Sequence, residues 1–174
     1  MLLGLSESAR ATTAEEARFR IDYPNSRPRK SRIIALDAAG LEALQEVVRQ
    51  RSWDGAHFLR YIEAKGATDS LKMLPVDAVL ENAEGKRVSL ADELDEADVI
   101  VMVTTAGASA AAAEVIGNAC FVRNKMTTGL VLSSADVSTI DLARTLTAMR
   151  PFAAMLVISN GDEYVLEMLS ALRV

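Results

Sequence analysis

The sequence predicts an α/β protein: a three-layer Rossmann-like sandwich with a mostly parallel sheet in the order 2-1-3-4-5 and an inserted β-hairpin. Three observations carry this expectation. Uncharged runs such as Val99–Val103 are apolar on both faces and read as central strands. They alternate with stretches whose apolar residues recur at the three-four spacing of amphipathic helices. Alternation of that kind requires crossovers, and crossovers cover both faces of a parallel sheet with helices.

The elements follow in order. Residues 1–31 read as a basic N-terminal arm, with a short helical stretch at Ala14–Arg20 and a turn at Tyr23-Pro24-Asn25-Ser26. A single Rossmann-like domain is expected over 32–174. Its first strand is Arg32–Leu36, followed by the turn Asp37-Ala38-Ala39-Gly40. Leu41, Leu44, Val47 and Val48 then mark one helix face, which Asp54-Gly55 ends. His57–Ile62 is the second strand. Alternation around Glu84-Gly85 predicts the hairpin. Ser89 is placed to cap a short helix, Leu90–Leu94, with Asp92 and Glu93 near its positive end. Strand Val99–Val103, helix Ala108–Arg123, strand Gly129–Ser133, helix Val137–Met149, strand Ala153–Ile158 and helix Asp162–Leu172 complete the chain, with Asp136 or Ser138 capping the fourth helix.

The 174 residues suffice for one domain with a sizeable core, half of them apolar but only 5% aromatic. No apolar run approaches the ~20 residues of a membrane span. The first twenty residues lack the apolar centre and flanks of a signal peptide. One cysteine, Cys120, excludes an internal disulfide and a cysteine-based metal cluster. These features point to a cytoplasmic protein with no membrane partner. The net charge of −5 is uneven: residues 1–32 hold seven Lys or Arg against four acids, leaving twelve against twenty elsewhere. The arm Arg27-Pro28-Arg29-Lys30-Ser31-Arg32 lacks the aromatic interleaving of a nucleic-acid binder. It is expected to be solvated, or to dock on its own acidic body or on a second subunit in a homo-oligomer.

In such sheets a crevice opens beyond the carboxyl ends of two strands whose crossovers leave in opposite directions. Asp37, Ala39 and Gly40 are expected on one side of it, with Thr104, Thr105, Gly107 and Ser109 on the other. Two helix N-termini would offer amide donors to an anion, the threonines and Ser109 would add hydroxyls, and the small residues would allow close approach. The alternative is a close-packed turn, because alanine is the best helix former and threonine also caps helices. Neither loop contains a full G-x-G-x-x-G or G-x-x-x-x-G-K-[ST]. A carboxylate at Asp37 repels phosphate, yet it suits a ribose hydroxyl.

The stretch RIIALDAAGLEALQEVV, then Ala97-Asp98 with its apolar strand and Thr105-Ala106-Gly107, and then Leu156-Val157-Ile158-Ser159-Asn160-Gly161-Asp162 resemble, in that order, the nucleotide-binding half of the FtsZ/tubulin family. The resemblance runs over residues 31–174 in short pieces and implies a Rossmann-like fold with a nucleotide pocket. The family's GGGTGTG phosphate loop is reduced here to Gly107-Ala108-Ser109 running into alanines, and its first glycine cluster to Gly40. The implied pocket is therefore degenerate or repurposed. Sugar-phosphate-binding SIS domains show a comparable strand–small-residue–helix pattern.

Catalytic candidates are few. His57 falls at the end of the sheet opposite the crevice, and Cys120 lies inside a helix with nothing adjacent to lower its pKa. Asp92, Glu93, Asp95, Glu96 and Asp98 lack the glycine turn of a calcium loop and read as a solvated acidic face. Ser133–Asp136 and Ser159–Asp162 end two strands on the crevice rim as turn residues, and Asn124-Lys125 ends a helix. The functional expectation is a non-catalytic module that binds a phosphate-bearing small molecule or nucleotide at the Gly40/Gly107 crevice. The alternatives are a structural or oligomer-forming protein with that pocket closed, and an enzyme using the same crevice.

Overall fold

A computed structural model describes residues 29–50, 52–64, 77–160, 165–171 and 174. Most of the N-terminal arm, with the stretch expected to be helical, lies outside them. Among the described residues seven strands, β1 (Ser31–Ala35), β2 (Ala56–Ala64), β3 (Ala78–Asn82), β4 (Arg87–Ser89), β5 (Val99–Thr105), β6 (Thr127–Ser133) and β7 (Met155–Asn160), form one sheet in the order β4-β3-β2-β1-β5-β6-β7. The five strands from β2 to β7 are parallel and keep the expected 2-1-3-4-5 order. The difference is the hairpin: β3 pairs antiparallel with β2, so the hairpin extends the sheet instead of hanging from it.

Among the described residues five α-helices cover the sheet: α1 (Ala38–Gln50), α2 (Leu90–Glu96), α3 (Ala112–Val122), α4 (Thr139–Met149) and α5 (Val165–Ala171). Side chains alternate across a strand, so each central strand feeds two cores. Ile33, Val101, Val103 and Leu132 meet α1 and α5, while Ile34, Ile100, Met102 and Val131 pack beneath α2, α3 and α4. The crossover from β1 runs over one face and that from β5 over the other. Their divergence places a switch point between β1 and β5.

Helix ends show which local signals held. Ser138 caps α4, accepting a hydrogen bond from the amide of Asp141 at 3.1 Å. Ser89 occupies the cap position of α2, but its hydroxyl makes no capping bond; it donates to Asp77, whose Oδ1 accepts from the amide of Ala91 at 3.0 Å. A residue twelve positions away thus caps α2 in its place. Asn124 ends α3 with φ of 54°, and the amides of Asn124 and Lys125 return to the carbonyls of Phe121 and Cys120 in a Schellman arrangement.

Gly117 sets how closely α3 approaches the chain between α4 and β7, since a Cβ there would stand 2.5 Å from Phe152 Cβ. Gly117→Ala should cost about 1–3 kcal/mol through overpacking. The urea midpoint is expected to fall with an unchanged denaturant slope.

Candidate functional site

The loops after β1 and β5 do meet on one rim, because the strands are parallel neighbours with Ala35 opposite Val103. What fills the space between them is the carboxylate of Asp37. Its Oδ2 accepts from the Thr104 hydroxyl at 2.7 Å and the Thr105 amide at 2.8 Å. Its Oδ1 accepts from the Gly40 amide at 2.8 Å and the Thr105 hydroxyl at 3.1 Å. Asp37 therefore caps α1 and clamps the end of β5 in the same act. Thr104 is fully buried, so its hydroxyl needs this acceptor.

Three further amides of the second loop are also engaged. Ala106 donates to the Leu132 carbonyl at 2.8 Å, Gly107 to the Thr145 hydroxyl at 3.0 Å, and Ala108 to the Thr105 carbonyl at 3.1 Å. Gly107 sits at φ of 90°, a conformation that suits glycine and turns the chain away from a helix. As a result α3 starts at Ala112, four residues later than the expected Ala108. That helix end does not open directly from the loop. Gly40 is explained by packing: a Cβ there would stand 3.2 Å from the carbonyl oxygen of Val103. Ala39 and Ser109 remain exposed at the lip, beside exposed Gly107.

A second polar group of residues sits at the opposite rim. Arg32 has its side chain 3% exposed and its Nε against Glu93 Oε2, which also lies 2.8 Å from His57 Nδ1. Arg32 and His57 are register partners on β1 and β2, and α2 lowers Glu93 onto them. Glu93 thus leaves the expected solvated acidic face: its side chain is 14% exposed. Asp95 meets Arg123 at 3.3 Å, and Asp98 accepts from the Lys30 amide at 3.1 Å. Spacing gave no signal for the Arg32–Glu93–His57 group, since its members come from three elements. His57 stands far from the Asp37 crevice, at the end of the sheet where the sequence places it. Among the described residues no group of three or more His, Cys, Asp or Glu could hold a metal ion.

Cys120 faces the core on α3, and burial pushes its thiol up to about 12, against the smaller opposing pull of Arg123 and Lys125. Burial, followed by the charge of Glu63, also raises Tyr61 on β2. Ser133 lies on the crevice rim at the end of β6, while residues 161–164 are outside those described. No known protein-family model matches the chain, and no curated protein matches it either. Its chemistry therefore rests on this geometry. No described helix is long and apolar enough to cross a membrane.

Three outcomes follow. Asp37→Ala strands the buried Thr104 hydroxyl and two amides, and should cost about 3 kcal/mol in urea unfolding, at the level of a lost cap plus unsatisfied donors. Glu93→Gln removes the nearer countercharge of buried Arg32, leaving only the exposed Glu96 carboxylate at 3.9 Å, and should cost about 3 kcal/mol by the same measurement. The raised Cys120 gives the third. The unfolded thiol loses its proton near 9.0 while the folded one holds it to about 12, so folded protein binds more protons across that window. Stability should accordingly fall as pH rises through it, and less steeply in Cys120→Ala.

Proposed function

We propose that this chain is a non-catalytic structural domain that associates with copies of itself, its switch-point crevice closed by its own carboxylate. The observation that carries this reading is the four-donor engagement of Asp37, which occupies the place an incoming anion would take. Scarcity of acid–base groups among the described residues of that rim argues against turnover.

Self-association draws support from the two ends of the sheet. The β4 end is three residues long and bordered by exposed Glu84, Lys86 and Arg87, devices that discourage pairing. The β7 end carries no such charge: its six residues are MLVISN, with Met155 and Ile158 more than two-fifths exposed. Beside it, exposed Phe121 and Met126 flank a shallow hollow of about 280 Å³ over Pro151 and Phe152. A second reading, a phosphate-bearing ligand at the Gly40/Gly107 crevice, draws support from the exposed lip of Ala39, Gly107 and Ser109.

Light scattering on the eluting protein tests the first reading. The full chain should form a dimer or larger species at micromolar concentration, and Ile158→Lys should weaken association at least tenfold with unchanged circular dichroism. A monomer at 100 micromolar, set about two decades above a typical micromolar dissociation constant, overturns the proposal. Phosphate, ATP and GTP should leave the thermal midpoint unmoved. A ligand present at a hundred times its Kd would add about 2.7 kcal/mol, and such a shift lost in Gly107→Asp would favour the crevice reading.

A further inference from the structure

A cavity of about 340 Å³ lies on the α1 face of the sheet, where β2 and the hairpin run beyond the cover that α1 provides. Leu41, Leu44 and Val48 of α1 form one apolar wall, and Phe58 of β2 forms the other. Phe58 is held in place by Trp53, whose ring meets it edge-on at 5.4 Å, and the Trp53 indole is itself anchored to the Val47 carbonyl at 3.3 Å. The volume falls at the lower end of the ~300–1,000 Å³ usual for small-molecule sites.

Charge at the mouth is asymmetric. Two guanidinium groups line the cavity, but Arg49 is engaged with Glu46 at 3.5 Å. Arg60 projects from β2 on the same face as Phe58, and among the described residues its side chain has neither an ion-pair nor a hydrogen-bond partner. Glu81 faces it in the antiparallel register without closing an ion pair.

We infer that this cavity binds a small monocarboxylate with an apolar tail, the tail between Phe58 and Leu44 and the carboxylate on Arg60. A planar guanidinium fork matches a carboxylate in two parallel hydrogen bonds. The apolar walls require a hydrocarbon or aryl portion that inorganic anions lack. Glu81, one strand away, repels a dianion more than a monoanion, which selects carboxylate over phosphate monoester. The site is independent of the Asp37 crevice, which lies beyond the ends of β1 and β5, and of the β7 edge on the far side of the sheet.

The test is a two-dimensional amide NMR titration of the full chain with hexanoate, 1-hexanol and inorganic phosphate. Saturable shifts from hexanoate centred on Leu44, Phe58 and Arg60, with none there from phosphate, are expected. Arg60→Gln, at an exposed position that should fold normally, is expected to weaken hexanoate roughly tenfold and leave hexanol unchanged. Ala83→Trp, at the exposed hairpin turn lining the mouth, should block both. Three results overturn the inference: no saturable hexanoate shift in the native chain, equal hexanoate affinity in Arg60→Gln, or shifts centred on residues 37–40 instead.

Discussion

One carboxylate organises the switch point. Asp37 reaches across 68 positions of sequence to bind the amide of Thr105, and its other bonds reach Thr104 and Gly40. At a switch point two crossovers diverge, and donors there turn to side-chain acceptors as well as to backbone carbonyls. A single acceptor group with two oxygens meets four of them. The effect spreads, because the clamped end of β5 fixes the following turn, and that turn sends the Gly107 amide to Thr145 on α4. Both helical layers are thereby tied to one rim.

The other end of the sheet is secured by a different device. There Arg32, buried among strand residues, depends on Glu93 from α2, and His57 shares the same carboxylate oxygen. Desolvating a guanidinium is costly, and the paired carboxylate is what makes the position tolerable. Between these polar joints the strands are apolar on both faces, which gives sliding registers little to distinguish them. The joints supply that distinction: shifting β1 by one residue would aim Arg32 into the core beneath α1.

The hairpin changes what the molecule presents. By extending the sheet past β2 it creates a stretch of strand surface that α1 cannot cover, and the cavity beside Phe58 is the consequence. Its charged turn and short outer strand also blunt that end of the sheet. The opposite edge strand, β7, is six residues long and uncharged, so the two edge strands differ in chemistry as well as in length.

Periodicity is a local property, and it is why the order of strands and helices was legible from residues alone: Leu41, Leu44 and Val47 mark the buried side of α1 wherever that helix packs. The crevice residues were legible as neighbours too, since parallel strands deliver Asp37 and Thr105 to one rim. What the sequence left open was whether those neighbours leave a gap or fill it. Only the tertiary structure decided that, because an Asp37 oxygen finds Thr104 and Thr105 through the spacing of two strands and not through any pattern along the chain. The same holds for Asp77 displacing Ser89 as a cap, for Glu93 leaving solvent for Arg32, and for the hairpin joining the sheet. Each depends on distances between segments far apart in sequence, where local propensity carries no information.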